Sequence, residues 1–428
     1  MHKFLSTGKK LKARQSVLVV LAIVVCVVVF ARCNDAEEVK EDVQEEVKQE
    51  DIGGVKFEDF AGEQKCAGCH KAVYETHIQT AHFATAQTAE EKNIHGSFKK
   101  GRNEYAYTPD IVLKMEKRDS GLFQVAYFKK EEKKAMRFDV VIGSGVMGQS
   151  FLTWRENKLF QLPITYFTAA DRWSNSPGFP SGKVMIDRPI TSRCLECHAS
   201  FAEGIAGPAM EPTEFDHKKM MLGVTCEKCH GPAAKHVSWQ TENPKEKKAK
   251  FIVNPASLSR QLQLDVCSYC HGGNIEKTKP SFQFTAGKLL SDYFKIDTSV
   301  IDVANSGNMD VHGNQYGFLK ASKCFQKSLT MTCSTCHNTH ANQRGKTELF
   351  SQKCVGCHNT AEAKFKTPAH SQVMAIQKNC IDCHMPAQPS KAIAVNLEGE
   401  EVPRASLIRT HFISIYQQQI KNGKIQKK

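Results

Sequence analysis

Seven times in this chain a Cys-x-x-Cys pair is followed directly by histidine: Cys66/Cys69/His70, Cys194/Cys197/His198, Cys226/Cys229/His230, Cys267/Cys270/His271, Cys333/Cys336/His337, Cys354/Cys357/His358 and Cys380/Cys383/His384. No Cys-x-x-Cys in the sequence lacks the histidine. With 17 histidines in 428 residues, seven such placements by chance have a probability on the order of 10⁻¹⁰. Two thiols at this separation match the two vinyl groups of one haem, to which they add as thioethers, and the next residue then offers its imidazole to the iron. Zinc sites built on Cys-x-x-Cys need no histidine after every pair, and disulfide scaffolds of this length do not space cysteines in tight pairs. The sequence therefore predicts seven covalent haem c groups, attached at the fourteen motif cysteines, with the seven motif histidines as proximal ligands.

Nine histidines lie outside the motifs and His2: His77, His82, His95, His217, His236, His312, His340, His370 and His411. Seven of them, His82, His217, His236, His312, His340, His370 and His411, are expected as distal ligands. His340 stands three residues beyond His337, on the same face of an expected helical turn, so it cannot reach the far side of its own motif's ring. It is assigned to a neighbouring haem, which forces two porphyrins together. His411 lies in "SLIRTHFISIYQQQI", where Ile408, His411, Phe412, Ile415 and Gln419 share one side of an expected helix. His370 follows "KTPAH", with Thr367 as N-cap and Pro368 in the first turn. Of His77 and His82, both downstream of the first motif, His82 is expected to be axial. His95, beside Gly96, reads as a loop or substrate-side residue. Met385 follows its own proximal histidine and is wrongly placed for that iron, and Cys324 in "SKCFQ" reads as a buried inert thiol. No catalytic residue is assigned.

The first fifteen residues carry Lys3, Lys9, Lys10, Lys12 and Arg14 without an acid, and an apolar run follows from Val17 to Ala31. Fifteen helical residues reach about 22 Å, short of a hydrocarbon core of about 30 Å. A signal sequence, cleaved or lipidated at Cys33, fits better than a spanning helix, with a short uncleaved anchor as the alternative; Arg32 departs from the small residue usual before a lipidated cysteine. The net charge of +13 belongs to an exported chain, so it is expected to face the propionates of bound haems and not nucleic acid.

The intervals between first cysteines are 128, 32, 41, 66, 21 and 26 residues, so no repeat period exists. The long first interval reads "IVLKMEKR", "LFQVAYFKK", "MRFDVVIG", "SFLTW" and "KLFQLPITYF", alternating runs divided by turn residues. The expected fold is mainly α with extensive loops, organised around seven covalently bound haems, with an inserted antiparallel β-meander over about 105–167. The expected divisions are 1–33 signal or anchor, 34–62 acidic tether, 63–100 first haem-binding segment, 101–190 β-rich insertion, 191–415 six-haem helical region and 416–428 basic tail.

The stretches "CAGCHKAVYETHIQTAH", "GVTCEKCHGPAAKH", "LTMTCSTCHNTH", "CVGCHNTAEAKFKTPAH" and "CIDCHMP" with "RTHF" resemble the multihaem c-type cytochrome superfamily that includes the ammonia-oxidiser tetrahaem cytochrome and hydroxylamine oxidoreductase. That resemblance, from about residue 60 to 415, implies distal roles for His82, His236, His340, His370 and His411; His217 and His312 match it less closely. No Cys-x-x-Cys-Lys variant of the nitrite-reductase kind occurs, and no counterpart of the tyrosine that crosslinks the catalytic haem in hydroxylamine oxidoreductase is identified. The expected function is electron transfer through closely packed, mostly bis-histidine haems in an exported, periplasmic respiratory chain. Expected partners are a quinol dehydrogenase, other cytochromes or a terminal reductase, with membrane association through the N-terminus. The alternative is a haem enzyme acting on a small nitrogen or sulfur compound at one five-coordinate haem, with the first haem, beside His77, His82 and His95, as the candidate.

Overall fold

The computed structural model describes residues 54–206, 209–273, 275–296, 313–358 and 379–416. The signal or anchor, most of the acidic tether and nearly all of the basic tail lie outside them, as do His312, His370 and the helix start expected at Thr367. Among the described residues no helix is long and apolar enough to cross a membrane.

Two helices open the chain, α1 (Glu63–Cys69) and α2 (Lys71–His77), followed by strand β1 (Ala86–Thr88). The β-rich insertion then builds two sheets. The first is an antiparallel meander of β2 (Glu104–Thr108), β3 (Ile111–Arg118), β4 (Gly121–Phe128) and β5 (Glu131–Arg137). The second returns to β1 through β6 (Val140–Ile142), β7 (Gly148–Arg155), β8 (Lys158–Gln161), β9 (Ile164–Phe167) and β10 (Arg172–Asn175), in the order β1-β6-β7-β9-β10 with β8 paired to β7. The expected meander is thus present over 104–137, while the rest of the expected segment forms a separate sheet.

Alternation explains the packing. In β3, Leu113 and Met115 point inward; in β4, Leu122 and Gln124 do. Gln124 has no solvent-exposed surface. Its side chain donates to the Ile164 carbonyl at 2.6 Å and accepts from the Ile164 N–H at 3.0 Å, so a buried amide ties the meander to β9 with both polar ends satisfied. Around it, Phe151 meets Phe138 edge-on with centroids 4.7 Å apart and Trp173 at 5.7 Å.

Beyond the sheets come α3 (Ser192–His198), the hairpin β11 (Ala199–Gly204) and β12 (Phe215–Leu222), α4 (Cys226–His230), α5 (Ala234–Glu242) and α6 (Arg260–His271). A two-stranded pair, β13 (Glu276–Lys277) with β14 (Phe294–Lys295), precedes α7 (Gln315–Ala321), α8 (Lys323–Lys327), α9 (Thr347–His358) and α10 (Ile381–His384). The hairpin β15 (Ala387–Val395) and β16 (Arg404–Arg409) follows. Strands run through the chain from 86 to 409, which corrects the expectation of a mainly α fold: the helices are short, and six of the ten carry part or all of a motif.

One apolar cluster bridges the two halves, with Val140, Leu152 and Leu159 of the second sheet packed on Ile190, Leu195, Phe201, Phe215 and Phe282. Leu195 sits inside the second Cys-x-x-Cys-His, so the sheet is the platform for that motif. After residue 190 the remaining clusters are small, as the sparse apolar sequence there implied.

The helix expected around His411 is not formed. Residues 404–409 are a strand and 410–416 are irregular. The period-two burial of Ser406 and Thr410 against β15, with Leu407 61% exposed, prevails over the helical spacing of Ile408, Phe412 and Ile415. Replacing Phe151 with alanine is expected to lower stability by about 3–5 kcal/mol, measured as a drop in the chemical denaturation midpoint of the haem-loaded protein.

Candidate haem-binding cavity

A helical turn puts residues i, i+3 and i+4 on one face, which is where two cysteines and a histidine must be to grip one ring. The His70, His337 and His384 N–H groups donate to the carbonyls of Cys66, Cys333 and Cys380 at 2.8, 3.0 and 3.0 Å, closing that turn. The fifth motif achieves it with a 3-10 turn, Cys333–Thr335, held by reciprocal hydrogen bonds between Thr332 and Thr335.

Six motifs present both cysteines and the histidine to one continuous cavity of about 2360 Å³, and the seventh borders it through Ile381 and Met385. Single small-molecule pockets reach about 1,000 Å³, so this space is sized for several large groups. Thiols of different motifs meet inside it. Cys66 lies beside Cys226, Cys197 beside Cys270, Cys267 beside Cys333 and Cys354 beside Cys380. None of the described cysteines forms a disulfide.

Three close histidine pairs involve the motifs, and His340 also lies 6.2 Å from His77. His82 and His271 have ring centroids 6.1 Å apart, His230 and His340 6.0 Å, and His337 and His411 6.1 Å. Each pair joins a motif histidine to one from elsewhere in the chain. Two metal–nitrogen bonds of about 2 Å, plus roughly 1.1 Å from each nitrogen to its ring centre, set imidazoles on opposite sides of one metal about 6 Å apart. The interplanar angles are 70°, 20° and 28° for the three pairs. Among the described residues no three His, Cys, Asp or Glu side chains converge as a metal cluster, so the donor set is two imidazoles facing each other and not a tetrahedral zinc site. The residues fit haem c.

For four of the cavity and motif histidines one ring nitrogen is held by a protein oxygen, as for metal-ligating histidines. Nδ1 of His230 lies 2.8 Å from the Val253 carbonyl, Nδ1 of His236 2.9 Å from Lys250, Nδ1 of His384 2.8 Å from Ser414, and Nδ1 of His198 2.9 Å from the Thr85 hydroxyl. Each Nε2 is left as the lone-pair nitrogen. Burial, and then the neighbouring His271 for His82 and His337 for His411, holds both rings down at about 4. Burial likewise lowers His271, His337 and His340. His337 and His340 present surface to the cavity interior, but its walls still exclude enough water to disfavour their charged forms. All five are neutral imidazoles at neutral pH, the state that binds metal.

The backbone around these rings is pinned by few groups. The Ser322 hydroxyl donates to the His411 carbonyl at 3.0 Å and accepts from the Ile413 N–H at 2.8 Å, which steers the irregular 410–416 segment toward His337. Gly223, at φ +76°, lets the chain entering the third motif pass the Phe83 carbonyl, which a Cβ would meet at 2.3 Å, while the Val224 N–H donates to the His82 carbonyl. Glu227, within the third motif and 2% exposed, accepts from the N–H groups of Ala61, Gly62 and Ala233 at 2.8, 2.9 and 2.8 Å. Burial still pushes its carboxyl up against the pull of these three donors. Its reach sets the start of α1, and with it the first motif, against the third.

Of the expected distal ligands, His82, His236, His340 and His411 line the cavity. His217 does not: it lies on β12, stacked on Trp154 with centroids 3.7 Å apart, its Nε2 2.9 Å from the Glu156 carbonyl. A strand residue facing a tryptophan on the sheet's outer surface has no route to the motifs. His95 sits in a loop against Gly145 and Tyr166, outside the cavity, so His77, His82 and His95 do not form the polar cluster expected beside the first haem. Cys324 borders the cavity, its thiol raised by burial. Sequence reasoning missed His77, which is buried at the cavity wall, and the anchors Thr85, Ser322 and Glu227. Only His77 carried a signal, its place five residues before His82.

The family model described as cytochrome c554 and c-prime matches residues 174–231, which contain the second and third motifs. A C-type polyheme cytochrome, OmcC, of Geobacter sulfurreducens is 22% identical over 210 residues, 45% of this chain and 25% of that protein, so the chain spans about a quarter of this curated relative. Among solved structures, the crystal structure of the outer cell wall cytochrome OcwA superposes with a TM-score of 0.50 at 15% identity, covering 85% of this chain and 81% of that one, a likeness of fold. In its motifs, its paired imidazoles and these likenesses the chain is similar to multihaem c-type cytochromes.

Replacing Glu227 with glutamine is expected to cost about 1.5–3 kcal/mol, as for hydrogen bonds to a charged group, read as a lower denaturation midpoint of the loaded protein.

Proposed function

We propose that this chain is an exported electron carrier holding seven covalent haem c groups, most of them between two imidazoles, within the superfamily of the ammonia-oxidiser tetrahaem cytochrome and hydroxylamine oxidoreductase. The observation that carries the reading is the recurrence of facing imidazoles about 6 Å apart in one cavity lined by the motifs. Haem iron supplies one-electron redox chemistry when bound. The chain's part is to hold the attachment points close and the ligands rigid. Neighbouring thiols place motif one beside three, two beside four, four beside five and six beside seven, so groups bound at these motifs would lie close to one another. Paired imidazoles lack the thioether sulfur that raises potential in Met/His sites, which suits a low-potential respiratory role. Lys65, Lys228, Arg344, Lys353 and Arg409 line the cavity and would offset propionate charge.

The ligand set proposed is the seven motif histidines with His82 opposite His271, His340 opposite His230 and His411 opposite His337; His236, His312 and His370 are proposed for three of the four remaining irons. Redox proteins are the proposed partners, namely a quinol dehydrogenase, another cytochrome or a terminal reductase. The outer cell wall location in the description of OcwA supports export, and attachment through Cys33 or an uncleaved N-terminal helix remains the proposed membrane contact.

The deciding experiment is a pyridine haemochrome assay with intact mass on the purified protein, which should give seven haems per chain; a value far below seven defeats the reading. Electron paramagnetic resonance of the ferric protein should show rhombic low-spin signals from the near-parallel pairs and one with its low-field edge moved further down-field from the 70° pair. His411→Ala should convert one low-spin haem to high spin. Protons compete with iron for the His82 and His411 imidazoles, whose burial already disfavours their charged forms. The low-spin spectrum is therefore expected to be lost only on acidification below the range of a free histidine, followed by acid titration of the visible spectrum.

A further inference from the structure

His77 is 7% exposed and ends α2, the helix that leaves the first motif. Its ring touches two backbone carbonyls that belong to different motifs. Nε2 lies 3.0 Å from the Val224 oxygen, two residues before Cys226, and Nδ1 lies 3.3 Å from the Thr339 oxygen, one residue before His340. The ring also meets the His340 imidazole edge-on, centroids 6.2 Å apart at 68°, and Phe83 at 6.0 Å on another side. Its own backbone is fixed, since the buried Thr80 hydroxyl donates to the His77 carbonyl at 2.7 Å. A neutral imidazole carries one N–H, so the ring donates to one of these two oxygens and packs against the other, and neither nitrogen is turned toward a motif histidine.

We propose that His77 is the positioning residue of the His230–His340 pair, a clamp that holds the entry to the third motif and the turn carrying His340 at one separation. The inference rests on the proposed reading that these two imidazoles ligate one iron. His340 needs such support because it sits in an exposed turn whose other tie is local, the His340 N–H to the Asn338 side chain at 2.9 Å. Groups one layer out from a metal ligand fix its orientation, and losing them loosens coordination. His77 also belongs to the helix continuing from the first motif, so the geometry of the third site is referenced to the first.

The test uses full-length, haem-loaded protein with haem content and ferric paramagnetic resonance as readouts. The parent and His340→Ala are compared first: the species that His340→Ala removes from the low-spin envelope, about one seventh of it for one haem of seven, identifies the pair. If nothing is removed, the underlying pairing fails and the clamp with it. Given that species, His77→Phe keeps the aromatic volume but has no donor, while His77→Gln keeps an amide donor. We expect His77→Phe to retain seven haems yet shift or broaden this one signal, His77→Gln to stay close to the parent, and His77→Phe to add nothing in the His340→Ala background. A parent spectrum in His77→Phe overturns the clamp and leaves the pairing intact. Equal high-spin conversion in both His77 variants also overturns it, since that marks His77 as a ligand. Should His77→Phe fail to load seven haems, His77→Gln decides: a parent-like spectrum supports the clamp, and failure of both variants overturns it.

Discussion

Pairs of imidazoles with centroids about 6 Å apart are the constraint on which the rest of the structure depends. Burial disfavours the charged forms of His82 and His411, and the neutral ring is the form that binds metal. Everything around the cavity serves the spacing: one-turn helices that aim cysteine and histidine the same way, a serine that bends 410–416 inward, a buried glutamate that ties two motifs through three amides.

The sheets have a different task. They bury most of the chain's own apolar side chains, and the cluster joining Leu152 and Leu159 to Leu195 transmits that rigidity to the second motif. The region beyond residue 190 has only small clusters of its own, so its order must come chiefly from what the motifs hold. The chain thus combines a conventional packed β platform with a region built around one large cavity lined by the motifs.

Motifs and meander were legible in the sequence because each rests on a local rule. Cysteine and histidine at i, i+3 and i+4 need one helical turn and nothing else, and the alternation in 111–128 fixes its two faces wherever the strands pair. Long-range partners were less legible. His411 was assigned a ligand role on a helical stripe that is in fact a strand followed by an irregular segment, so its place at the cavity owes nothing to the periodicity used to find it. His217 has the same residue type and the same distance from a motif as others, but pairing of 215–222 with 199–204 turns it onto Trp154. His77 reads as a spare beside His82; only the fold reveals that Val224 and Thr339, over a hundred residues apart, converge on its ring.

The touching thiols of separate motifs carry a consequence for biogenesis. In the folded chain Cys66 lies beside Cys226 and Cys197 beside Cys270. On the proposed reading of an exported haem protein, an oxidising compartment would favour crosslinks between such neighbours that consume the sulfurs needed for thioether bonds. That reading requires haem attachment to run ahead of compaction, while the two cysteines of each motif are still far from those of the next.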